Sequence, residues 1–125
     1  MPDQIKSHRD LVVWQKAMDL AVRSHELARR FPRTDEFVLG HQIRKSAVSI
    51  PSNIAEGFCR HSTASYIQHL WIAHASGAEL ETQVELGKRM KIAPESEADG
   101  LIANAQEIGR MINGLVASLE RSSRA

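Results

Sequence analysis

Leu39, Ile43, Ala47, Ile50 and Ile54 recur at steps of three and four, and the spacing passes straight through Pro51. That spacing traces one face of an α-helix. A proline in mid-helix removes one donor and crowds the carbonyl four residues back, here that of Ala47. Packing on both sides must therefore hold such a helix, and a kink at Pro51 is expected. Aromatic residues make up 5% of the chain, with four prolines and seven glycines, which argues against a sheet-rich fold.

The remaining apolar positions follow the same period. In the first segment Leu11, Trp14, Met18, Ala21, His25 and Ala28 form one stripe, and Val13, Ala17, Leu20, Leu27 and Phe31 a neighbouring one. Ser7 with Asp10 three residues on is a capping arrangement for that helix. Phe31-Pro32 ends it, and Thr34, with Asp35 and Glu36 behind it, is suited to cap the next. Gly57 supplies a permissive residue near the end of the second helix, and Ser62 can cap a third carrying Tyr66, Leu70, Ala73, Gly77, Leu80, Val84 and Gly87. After Ile92-Ala93-Pro94-Glu95, Ser96 and Asp99 repeat the cap signal ahead of Leu101, Ala105, Ile108, Ile112, Leu115 and Leu119. The spacing thus predicts helices over about 8–30, 35–58, 62–90 and 96–121. Four such helices with short connections pack as antiparallel neighbours, so the expected architecture is a single all-α domain over 1–125, an up-down-up-down four-helix bundle.

Cys59 is the single cysteine and excludes an internal disulfide, while the N-terminus is polar and lacks the apolar core of a cleaved signal. A cytoplasmic location is the expectation. The apolar runs are only a few residues long, far short of the ~20 that span a bilayer, so no membrane partner is expected.

Sixteen Lys and Arg against fifteen Asp and Glu give a formal charge of +1 that conceals an asymmetry. Residues 1–61 hold ten basic and seven acidic side chains, or +3, and residues 62–125 hold six and eight, or −2. The excess gathers at Arg29, Arg30, Arg33, Arg44, Lys45 and Arg60, around the first two helices and their connections. Phosphate contacts need little more than such charges, which makes these six the candidate nucleic-acid-binding residues.

Catalytic and metal chemistry find no pattern. A di-iron bundle needs Glu-x-x-His on two helices, and no glutamate here has histidine three residues later. His69 and His74 are five apart and face different ways. Cys59 lies beside Arg60 and His61, but sequence adjacency does not make a hydrogen-bonded base. Glu56, Glu79 and Glu81 are expected alongside one another in an antiparallel pair, with Arg44 or Asn53 as partners fixing helix register. No cofactor, no metal and no enzymatic activity are expected; a small hydrolase using Cys59 or the glutamates is the remote third reading.

Trp14 and Trp71 are the two largest apolar side chains, and Ile67, Trp71, His74 and Ala78 outline a second face on the third helix. A second apolar face on one helix of a four-helix bundle asks for a partner, so these four residues are the candidate oligomer interface.

Three stretches carry a family resemblance: Leu11-Val12-Val13-Trp14-Gln15-Lys16-Ala17-Met18-Asp19-Leu20, Gln42 to Gly57 with Arg44-Lys45-Ser46-Ala47-Val48-Ser49-Ile50-Pro51-Ser52-Asn53-Ile54-Ala55-Glu56-Gly57 inside it, and Ala78-Glu79-Leu80-Glu81-Thr82-Gln83. Together with Phe31-Pro32 they resemble the 23S rRNA intervening-sequence protein family, also called four-helix bundle proteins, over about residues 8–118. Many members are named after genes found inside intervening sequences of ribosomal RNA genes. Related bundles serve as accessory proteins of diversity-generating retroelements, where they assemble as barrel-shaped homopentamers that bind nucleic acid and a reverse transcriptase. The resemblance implies a non-enzymatic bundle that associates with itself, as a homopentamer, and acts as a binding or adaptor module for RNA, DNA or a nucleic-acid enzyme. A ring of copies would repeat the mild basic patch and strengthen its field. The alternative is a structural or protein-interaction bundle with no nucleic-acid affinity.

Overall fold

The computed structural model describes residues 4–124, which form four long helices and no strand among the described residues. Helix α1 spans Val12–Arg29. Helix α2 is continuous over 33–58 and is built from a first turn Arg33–Asp35, a π-helical turn Glu36–Gly40 and an α-helical body His41–Phe58. Helix α3 spans Thr63–Arg89 and α4 spans Glu95–Arg124.

Residue pairs across each seam give the helix directions. Ala28 faces Gly40 and His25 faces Arg44, so numbering falls along α1 as it rises along α2. Ser49 meets Ser76 and Glu56 meets His69 between α2 and α3. Lys88 meets Asp99 and Glu81 meets Gln106 between α3 and α4, and Lys16 and Arg30 meet Glu107 and Glu97 to close the ring from α4 to α1. Each helix therefore packs on its two neighbours in chain order, as short connections require.

The apolar stripe of α2 is wholly inside: Leu39, Ile43, Ala47, Ile50, Pro51 and Ile54 are all buried. Burying Ile50 and Ile54 contributes about 1.5–3 kcal/mol each, which matches or exceeds the ~3 kcal/mol that a mid-helix proline costs. The helix accordingly continues through Pro51 instead of stopping there. In α1 the core is the Val13, Ala17, Leu20, Leu27 stripe, joined by Ser24 and Ala28, whereas Met18 and His25 of the other stripe are exposed.

Three predicted helix starts shift. Ser7 and Asp10 do form a reciprocal capping box, but on a separate 3-10 turn, His8–Asp10, and α1 opens afterwards at Val12. Thr34 makes no side-chain cap, because α2 already begins at Arg33 behind Pro32, whose fixed φ of −52° leads the chain into the helix. The last helix likewise begins at Glu95 behind Pro94, one residue ahead of Ser96, and runs to Arg124. Ser62 caps α3 as expected, its hydroxyl accepting from the Ser65 amide at 3.1 Å.

Candidate nucleic-acid interface

The connection between α1 and α2 is pinned from inside. Phe31 is buried against Gly87 of α3, with its ring 3.4 Å from where a Cβ on that glycine would stand. With Phe31 turned inward and Pro32 setting the exit angle, Arg29, Arg30 and Arg33 are left on the surface of one corner. Their guanidinium groups are not equivalent. Arg30 is bonded to both carboxylate oxygens of Glu97 on α4, and this holds the Glu97 carboxyl below the usual glutamate range. Arg44, half-buried one step along α2, donates to Glu36 at 2.6 Å and to His25 Nδ1 of α1 at 3.1 Å. Arg29, Arg33 and Lys45 are exposed and make no ion pair among the described residues.

The π-helical turn shapes the same corner. The His41 amide reaches back five residues to the Glu36 carbonyl, and the widened turn directs Leu39 and Gly40 into the core while Phe37 and Val38 stand outside. Phe37 is 78% exposed, the most exposed large apolar side chain among the described residues, and Val38 is next at 67%. Arg33, Glu36, Phe37, His41 and Arg44 line one open depression of about 330 Å³. Insertions of this kind in helices are frequent at functional sites. Sequence reading missed Phe37, Val38 and His41. The available signal was that Phe37 and Val38 lie off the Leu39-Ile43-Ala47 stripe, which leaves two apolar residues with no place in the core.

Arg60 does not join this group. It follows the far end of α2, about 40 Å of helix away from Arg33, and its guanidinium is bonded to Glu56 at 2.6 Å. The Glu56 carboxyl, held low first by that bond and further by His69, also lies 3.4 Å from His69 Nε2. The expected cluster of Glu56, Glu79 and Glu81 does not form: Glu79 is exposed, and Glu81 accepts from Gln106 of α4. Arg44 pairs with none of these three, because the antiparallel register puts it beside α1, and Asn53 bonds Ser49 of its own helix. Cys59 is exposed, and among the described residues no three histidine, cysteine or carboxylate side chains gather as a metal site needs. No helix among the described residues is long and apolar enough to cross a membrane.

The second predicted face is on α3. Trp71 is 44% exposed and stands edge-on to His74, their ring centroids 5.5 Å apart. Ile67 packs half-buried against the core and Ala78 is exposed. His74 and Ala78, with Ala73, Gly77 and Gly109, line an open groove of about 280 Å³ between α3 and α4. A Cβ on Gly77 would meet nothing within 4 Å.

No curated protein matches this sequence. Among solved structures, the chain is similar to a Bacteroides thetaiotaomicron protein of unknown function from the S23 ribosomal protein family. The two share 29% identity with a TM-score of 0.80, over 84% of this chain and 98% of that one. Residues 9–114 match the family described as 23S rRNA-intervening sequence protein. With nearly the whole bundle inside that match, the chain belongs to the 23S rRNA-intervening sequence protein family.

Proposed function

We propose that this protein is a non-enzymatic module that associates with itself and binds nucleic-acid phosphates through the α1–α2 corner. The observation that supports the reading most directly is that Arg29 and Arg33 are exposed at the α1–α2 corner, and Lys45 about three turns further along α2, with no acidic partner among the described residues. Cations already matched by carboxylates have less to gain from a phosphate, so Arg30, Arg44 and Arg60 are secondary contacts at best. Self-association of the α3 face, Ile67, Trp71, His74 and Ala78, would multiply the corner around a ring and raise its local field. A homopentamer, as the family resemblance implies, is the assembly this reading adopts.

Three paired cations out of six, and a net charge of only +1, favour the second reading, a protein-interaction bundle without nucleic-acid affinity. Fluorescence anisotropy with labelled RNA and DNA at two salt concentrations separates the two. Phosphate neutralisation predicts a steep loss of affinity with salt, and the triple variant Arg29→Ala, Arg33→Ala, Lys45→Ala should flatten the logarithmic salt slope by about 2–3. Undetectable binding at low salt, or an unchanged slope in the triple variant, defeats the proposal.

A further inference from the structure

We infer that Phe37 is a stacking platform for an unpaired base, so that the α1–α2 corner takes single-stranded nucleic acid in preference to duplex. The inference rests on the phosphate-binding reading above and adds the class of strand. Phe37 exposes more than three-quarters of its surface, held outside the core by the π-helical turn, although burying such a ring contributes about 1.5–3 kcal/mol. It is carried by a π-helical turn with continuous helix on both sides, so the ring is presented from a rigid element. The depression it lines is otherwise polar and chiefly basic, with Arg33 and His41 exposed at its edge.

Arg44, tied to Glu36 and His25, is held by those bonds and not free to cover the ring. The depression's one carboxylate, Glu36, is occupied by Arg44, which leaves Arg33 as its unmatched cation facing any ligand. A flat apolar ring bordered by cations matches a base attached to a phosphate backbone, because every base has a π-face and every linkage a negative charge. A duplex offers the phosphates but hides its base faces in the stack. A two-fold contact with a second copy fits worse here, since it would set Arg29 and Arg33 against themselves, and the contacts of a ring are given above to the α3 face.

The test uses the full-length protein, labelled oligo(dT), oligo(U) and a duplex of equal length, read by anisotropy, with sedimentation run in parallel. Wild type should bind the single strands more tightly than the duplex. Phe37→Ala should weaken single-strand binding about 5- to 100-fold and leave duplex binding unchanged. Phe37→Trp should restore the affinity and Phe37→Leu, apolar without a π-face, should not. Weaker oligo(U) than oligo(dT) binding, or the reverse, with both Phe37-dependent, supports the platform and shows which nucleotide it prefers. Equal effects on single strand and duplex, or no effect on either, overturn the inference while the phosphate reading stands. Loss of the oligomer in Phe37→Ala overturns it too, by making the ring a subunit contact. Absence of binding to all three ligands defeats both readings.

Discussion

Lys91 has φ at 63°, the one positive φ at a non-glycine residue among the described residues. It sits just past the end of α3, where the Ile92 amide bonds the Gly87 carbonyl at 3.1 Å and the Lys91 amide bonds the Lys88 carbonyl at 3.0 Å. These are the two bonds of a Schellman cap, whose left-handed position favours glycine. A lysine there holds its Cβ against the following carbonyl at a cost of about 1 kcal/mol. Lys91→Gly should therefore raise stability by about 0.5–1 kcal/mol, read as a higher urea midpoint with an unchanged slope. The sequence carries no sign of this cap, since a reader scanning for glycine past a helix end finds none. Arg30 and Glu97 illustrate the same blindness at side-chain level: 67 residues apart, they meet only because α1 and α4 run side by side.

Gly57 shows how an element can be placed correctly for an incomplete reason. Its position near the end of α2 suggests conformational freedom, yet no glycine among the described residues has positive φ. What requires glycine is the close approach of α3. A Cβ there would lie 2.8 Å from His69 Cβ and 3.2 Å from the Tyr66 carbonyl oxygen, both fixed to helical backbone. Gly57→Ala gains about 1 kcal/mol of helix propensity, but α2 and α3 must separate to admit the methyl. The net expectation is a loss of about 1–2 kcal/mol, measured as a lower thermal midpoint. Elsewhere at this scale the sequence was a good guide. All four helices were legible from apolar spacing, which follows from the period of the helix, and Pro51 was rightly kept inside α2. The starts were less legible, because prolines at 32 and 94 set the entry of α2 and α4 while Thr34 and Ser96 merely resemble caps. The π-helical turn was invisible: its extra residue answers to how Leu39 and Gly40 meet the neighbouring helices, including Ala28 of α1.

Across the whole molecule, α3 carries large apolar side chains on its outer side as well as its inner one. Leu70, Leu80 and Val84 are buried while Trp71, Ile72, Leu86 and Met90, at its C-terminal end, are exposed. A helix of that kind fits an assembly in which the bundle covers one side and another copy the other. The groove beside Gly77 gives this reading a specific test. Gly77→Leu places its Cβ where nothing stands within 4 Å and its branch in the open groove of about 280 Å³ beside it, so the change acts on that groove first. If a neighbouring copy enters the groove, sedimentation of Gly77→Leu should show the mass falling toward the 13.9 kDa of a single chain, with helicity unchanged by circular dichroism. A wild-type protein that already sediments as a monomer, or an oligomer indifferent to Gly77→Leu, removes the groove from the interface.

Periodic apolar residues need no knowledge of the rest of the chain, because helix geometry repeats every 3.6 residues and burial selects one side of it. That local rule is why the sequence by itself determined the number of helices, the core stripe of α2 and the outward position of Trp71. Charge works differently. Of the six cations, Arg60 pairs four residues back with Glu56 and Arg44 eight residues back with Glu36, both local to α2, whereas Arg30 meets Glu97 only when α4 lies beside α1, and Arg60 is carried to the opposite end by the length of α2 itself. Tertiary structure alone decided that Glu97 matches Arg30 and that Arg44 also reaches His25, because those partners lie across a seam between helices and not along the chain.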